Sequence, residues 1–91
     1  MYRILIVEDD RTNQSLYQKM KVWEEEGFVI EGQAFNGREA LSLMQTKQFD
    51  LYIVDVMMPV MNGLEFLKEL KDRGIMAPRI IASNYNEFEY V

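Results

Sequence analysis

The sequence predicts a single α/β domain built on a doubly wound parallel sheet. Two continuous apolar runs, Ile4 to Val7 and Leu51 to Val54, have the pattern of strands that are buried on both faces. Segments with helical apolar spacing separate the strands, and this alternation implies right-handed crossovers with helices on both faces of the sheet. The length of 91 residues allows one domain.

The first strand is predicted at Arg3 to Val7, and a helix is predicted from Asp10 to Trp23. Glu24 to Glu26 are expected to form a solvated helix end, and Gly27 is expected to stop the helix. The apolar residues expected to face the sheet are Leu16, Met20 and Trp23.

A weaker strand is predicted at Phe28 to Ala34, and its mixed polarity suits an edge of the sheet. Asn36, with Glu39 three residues later, resembles a helix cap, and the helix that follows is expected to end near Thr46. The apolar side of this helix is expected to consist of Ala40, Leu41 and Met44.

The second half of the chain repeats the pattern of strand, cap and helix. Asn62 and Glu65 match the cap signal again, and Arg73-Gly74 are expected to end the helix that it opens. A fourth strand is predicted at Arg79 to Ala82, with a further helix start at Asn86. The buried stripe of the third helix is expected to be Phe66, Leu67 and Leu70.

Composition excludes several classes of site. The net charge of −5 argues against a nucleic-acid-binding surface, because phosphate contacts need clustered Lys and Arg. The chain has no Cys and no His, which excludes thiolate and imidazole metal ligands and a His general base. No apolar run has the length of a membrane span and no signal-peptide pattern is present, so a cytoplasmic location is expected.

Both central strands end in acidic residues. Asp55 follows the Leu51 to Val54 run, and Glu8 and Asp9 follow the first strand. Ligands of open parallel sheets bind beyond the carboxyl ends of the strands, so these carboxylates are expected to cluster. Oxygen ligands of this kind suit a hard cation such as Mg2+. The alternative is a solvated acidic loop without a metal. Asp10 is expected to start the first helix instead.

Three segments together resemble the receiver domain of two-component response regulators. The acidic pair, the strand-tip Asp followed four residues later by Pro59, and a strand-tip hydroxyl occur in the family's order. The resemblance implies the flavodoxin-like (CheY-like) receiver fold, with sheet order 2-1-3-4-5. The segments that carry it are Ile4 to Asp10, Asp50 to Gly63, and Pro78 to Ser83.

The resemblance also implies a role for each matching residue. Asp55 would accept a phosphoryl group from a phosphohistidine on a sensor histidine kinase. Asp9 and Asp55 would bind Mg2+ through their side chains, Met57 through its backbone carbonyl, and Glu8 through water. Ser83 would be the switch hydroxyl that moves to donate to the phosphoryl oxygens. Receivers promote their own phosphorylation and dephosphorylation but are not dedicated enzymes.

The family has five strand–helix units, and residues 1–91 match four of them up to the start of the fourth helix. The strand that ends in a phosphoryl-binding Lys, and the helix after it, have no counterpart here. If the chain ended at Val91, the uncovered edge of the fourth strand would favour a homodimer, an exchange of elements or a second polypeptide that restores the missing half; the preferred alternative is that the sequence is a piece of a longer regulator. An output domain would follow, and Tyr85 to Tyr90 resembles receivers that precede AraC-type DNA-binding domains.

Two other functions compete with phosphotransfer. The first is a receiver-like interaction or self-associating module that keeps the fold without the chemistry. The second is a Mg2+-dependent aspartyl phosphatase of the haloacid-dehalogenase type, which also uses a strand-tip Asp nucleophile. That family requires a second Asp two residues after the first, and Met57 occupies that position here.

Overall fold

The computed structural model describes residues 1–55 and 61–82, and these form a four-stranded parallel sheet with helices on both faces. The strand order is β2-β1-β3-β4. This is the doubly wound arrangement that the sequence predicts, with the second strand at one edge. The elements are β1 (Tyr2–Val7), α1 (Arg11–Lys19), α2 (Val22–Glu25), β2 (Phe28–Ala34), α3 (Gly37–Met44), β3 (Leu51–Asp55), α4 (Gly63–Asp72) and β4 (Arg79–Ala82).

The two central strands run side by side in register from Ile4 opposite Leu51 to Val7 opposite Val54. Glu8 directly follows Val7, and Asp55 directly follows Val54. Two carboxylates therefore lie side by side at the carboxyl ends of the central strands.

Each face of the sheet packs on its own apolar cluster, which confirms the prediction of cover on both sides. On the α3 and α4 face, Tyr52 stacks edge-on against Phe66 at 6.0 Å and against Phe49 at 6.1 Å between ring centroids. The α1 and α2 face has a smaller cluster, on which Tyr17 and Trp23 pack. The buried members of that cluster are Ile4, Ile6, Leu51 and Ile53.

The helix signals are confirmed at the caps. The Asp10 side chain accepts from the backbone N–H groups of Thr12 and Asn13 and so caps α1. Asn62 and Glu65 form a reciprocal capping box at the start of α4. Gly27 and Gly74, which follow α2 and α4, have φ angles of +82° and +73°. These left-handed values suit glycine, which lacks a Cβ.

The predicted helix from Asp10 to Trp23 is wrong in extent, and of the three residues predicted to face the sheet only Trp23 packs on it. α1 ends at Lys19, Met20 is extended, and α2 is a separate short helix. Leu16 and Met20 are 55% and 45% exposed, so they do not form the contact with the sheet. Gln14 is the buried residue of α1, because it lies on the sheet-facing side one turn before Tyr17.

β4 is an edge strand of the sheet among the described residues, and its Ile80 side chain is 51% exposed. Self-association through this edge stays a prediction, which light scattering on the purified chain would test. None of the helices in residues 1–55 and 61–82 has the length and apolarity needed to span a bilayer.

Candidate metal centre

Three carboxylates meet at the carboxyl edge of the sheet, beyond the ends of β1 and β3. Glu8, Asp9 and Asp55 each offer a carboxylate oxygen, and these oxygens lie within 4.8 Å of one another. Glu8 and Asp55 are each 2% exposed, and Asp9 is less buried than either. We call this cluster the carboxylate pocket. It contains the carboxylates that the sequence predicts to converge.

The backbone around Glu8 is fixed by hydrogen bonds. Its N–H donates to the Ala34 carbonyl at 2.9 Å, which extends the β1–β2 ladder by one residue. The Glu8 Oε2 atom accepts from the Asp10 N–H at 3.1 Å. The same Asp10 caps α1 with its side chain, so the turn after β1 joins the pocket to the first helix.

Burial raises the pKa of Glu8 from 4.5 to about 7, although the hydrogen bond from the Asp10 N–H opposes the rise. The negative charge of Asp55 and hydrogen bonds with the Asp55 and Asp9 side chains raise the pKa further. The pKa of Tyr17 is also raised, first by burial and then by the charges of Glu8 and Asp55. The pocket is therefore a region of negative potential that a cation would stabilise.

The donor set fits Mg2+, which prefers oxygen ligands at about 2.0–2.1 Å. Two such ligands on one ion lie at most about 4.2 Å apart. Only one pair among three ligands of an octahedral ion can lie opposite each other, so direct coordination by all three carboxylates requires the other two oxygen–oxygen separations to be shorter than this. A carboxylate that binds through water does not have to meet this requirement.

The remaining predicted site residues are not in the described part of the chain. Met57 and Ser83 lie outside it, so their roles as a carbonyl ligand and as the switch hydroxyl stay predictions. Asp10 is described and caps a helix, as the sequence predicts, and it is not part of the pocket.

Sequence reasoning missed Gln14, which lies directly behind the pocket. Its amide nitrogen donates to the backbone carbonyl of Glu8 at 3.1 Å. The signal that could have found it is its spacing, because Gln14 lies one helical turn before Tyr17 on the same face of α1. A search for apolar periodicity passes over a polar residue at such a position.

Comparison with known proteins decides the family. Residues 4–91 match the family described as the response regulator receiver domain. The chain is a response regulator receiver domain. The flavodoxin-like fold predicted from the resemblance is confirmed, and membership of the receiver family sets aside the haloacid-dehalogenase alternative.

Relatives of this receiver domain include longer bacterial regulators. An uncharacterized response regulatory protein of Staphylococcus epidermidis is 36% identical over 91 residues, which are 100% of this chain and 36% of that protein. The uncharacterized transcriptional regulatory protein YesN of Bacillus subtilis is 37% identical over 90 residues, or 99% of this chain and 24% of YesN. The receiver domain thus spans about a third or less of these relatives.

Solved receiver structures share the fold. The response regulator protein TrrA of Thermotoga maritima, solved in complex with Mg2+-BeF, superimposes with a TM-score of 0.81 at 33% identity. The match covers 99% of this receiver domain and 72% of the TrrA chain.

Proposed function

We propose that this receiver domain takes a phosphoryl group onto the Asp55 carboxylate from a phosphohistidine of a sensor histidine kinase. Mg2+ in the carboxylate pocket would assist the transfer. The observation that supports the proposal is the convergence of Glu8, Asp9 and Asp55 within 4.8 Å at adjacent strand ends. That arrangement would supply a nucleophile and a cation site in one place.

Phosphoryl transfer passes through a loose transition state whose charge is spread over the equatorial oxygens, so positioning and charge stabilisation supply most of the catalysis. An anionic donor would be repelled by three clustered carboxylates without a cation. Mg2+ bound there reduces this repulsion and binds a phosphoryl oxygen. Glu8 and Asp55 are each 2% exposed, and the low local dielectric that goes with such burial strengthens these electrostatic interactions.

Asp55 is the carboxylate best suited to act as the nucleophile. It is the last residue of the central strand β3, whose five residues are all buried, so its position is set by the rigid core of the sheet. Glu8 is less suited because burial raises its pKa to about 7, and one of its oxygens accepts from the Asp10 N–H. Asp9 is the more open carboxylate and suits direct binding of the ion.

The phosphorylated Asp55 would control an output domain that lies C-terminal to this segment. Phosphorylation adds about −1.5 to −2 charge and strong hydrogen-bond acceptors. Asp55 lies opposite Ala82 at the end of β4, so the new charge would appear beside the point where β4 leads into Ser83. Ser83 would donate to it, and the surface after β4 would change. YesN is named a transcriptional regulatory protein, which supports a DNA-binding output.

Incubation with acetyl phosphate and Mg2+ tests the proposal without a kinase. We expect the intact protein to gain the mass of one phosphoryl group, and peptide mapping to place that group on Asp55. We expect EDTA to prevent the gain, because removing the cation restores repulsion between the donor and the pocket. A folded chain that gains no phosphoryl group under these conditions would support the interaction-module alternative.

A further inference from the structure

Gln14 is a buried amide on α1, a helix whose other residues are exposed or half-buried. It is 3% exposed and is the buried residue of α1. Its Nε2 donates toward three backbone carbonyls: Ile6 at 3.2 Å, Glu8 at 3.1 Å and Ala34 at 2.9 Å. These carbonyls lie at the carboxyl ends of β1 and β2, so the side chain extends the β1–β2 ladder where main-chain pairing stops.

The Glu8 main chain is therefore held on both sides. Its N–H donates to the Ala34 carbonyl at 2.9 Å, and its own carbonyl accepts from Gln14 Nε2 at 3.1 Å. The Ala34 carbonyl accepts from both the Glu8 N–H and Gln14 Nε2, so hydrogen bonds connect all three residues. The Glu8 carbonyl belongs to the peptide that leads into Asp9, so movement of this peptide would displace both carboxylates.

A packing role alone does not account for an amide at this position. Gln14 Oε1 is buried and has no hydrogen-bond partner among the described residues. An unsatisfied buried acceptor costs about 1–3 kcal/mol, whereas an apolar side chain of similar shape would avoid that cost. The amide therefore acts through its Nε2 donor, which hydrogen-bonds to the backbone at the strand ends that form the pocket.

We propose that Gln14 is a positioning residue for Mg2+ in the carboxylate pocket. It acts through the main chain of Glu8, without contact with the ion, and it connects α1 to the metal-binding turn. Removal of a residue that hydrogen-bonds to a metal ligand and orients it typically weakens metal affinity 10- to 100-fold. This inference rests on the proposed function, because it needs Mg2+ to bind at Glu8, Asp9 and Asp55.

The substitution Gln14→Met tests the role. Methionine keeps the length of the side chain and removes both N–H donors. We expect the Mg2+ dissociation constant, measured by calorimetry, to rise about 10- to 100-fold. The matched control is Gln18→Met, four residues later in α1, where the side chain is exposed, and we expect it to leave the dissociation constant within about twofold of the wild type.

A merely structural role for Gln14 would give a different result. Gln14→Met would then lower the free energy of unfolding in EDTA while the folded protein bound Mg2+ as tightly as the wild type, and that result would overturn the inference. A wild-type chain that binds no Mg2+ would instead contradict the proposed function. The two failures are therefore distinguishable.

The wild-type protein provides a second test, which holds even where Gln14→Met does not fold. We expect a Mg2+ titration followed by NMR to shift the Gln14 side-chain amide resonances with the same midpoint as the backbone amides of Glu8 and Asp9. The Gln18 side-chain amide should not shift. Shifts at Asp9 without any at Gln14 would overturn the inference.

Discussion

Asp55→Asn is expected to abolish phosphorylation by acetyl phosphate and, in EDTA, to raise the free energy of unfolding. The amide lacks the nucleophilic carboxylate, so no phosphoryl group should be gained. It also removes one of three carboxylates that lie within 4.8 Å of one another, two of them almost fully buried. One unit of relieved pKa shift corresponds to about 1.4 kcal/mol, so a stability gain on the order of 1 kcal/mol is expected.

Intact-protein mass and urea unfolding in EDTA measure the two effects. Asp50→Asn is the matched control, because Asp50 lies just before β3 at the opposite edge of the sheet. Asparagine can still accept the hydrogen bond that Asp50 receives from the Arg3 N–H at 2.7 Å. The control should take up phosphoryl groups normally. Stable phosphorylation of Asp55→Asn, or a loss of stability in EDTA, would contradict the account.

Mg2+ binding is expected to weaken steeply as the pH falls below about 7, because burial and neighbouring charge raise the pKa of Glu8 to about 7. A proton on Glu8 removes a negative charge from the pocket and competes with the cation. With one such proton the dissociation constant should rise toward tenfold per pH unit, or about 100-fold between pH 8 and pH 5. Calorimetric titrations across this range measure the slope.

Without the metal, the free energy of unfolding should decrease as the pH rises, whereas the affinity for Mg2+ should increase. The pKa of Glu8 in the folded state lies above its ordinary value of 4.5, so the folded state binds the extra proton between these values. The contribution to stability is therefore present below about pH 4.5 and lost as the pH rises through about 7 in EDTA. Glu8→Gln should remove both pH dependences in this window. If they persist in Glu8→Gln, another group controls them.

The two central strands were predictable because their apolar runs are uninterrupted and end in acidic residues, and β2 was predictable despite its mixed polarity. Leu51 to Val54 is buried over its whole length, and β2 spans Phe28–Ala34 as predicted. The register of parallel strands then brings Glu8 next to Asp55, so most of the carboxylate pocket follows from the sequence and the known geometry of sheets.

The first helix was less predictable, and the reason is physical. Its sequence contains no Gly or Pro near Met20 to mark the break between α1 and α2. Its buried residue is a glutamine whose burial depends on carbonyls at the ends of two distant strands. Such contacts form only in the folded chain, so local apolar spacing cannot predict them. The spacing alone predicts Leu16 on the sheet side of the helix, whereas Leu16 faces solvent.

The most direct test of the account is the position of a bound ion. Crystals soaked in Mn2+, which takes the same oxygen ligands as Mg2+, should show one anomalous peak in the carboxylate pocket, about 2.0–2.3 Å from oxygens of Asp9 and Asp55. Full occupancy elsewhere, or no peak at saturating Mn2+ while Asp9 and Asp55 remain ordered, would contradict the claim that these strand ends form a metal centre.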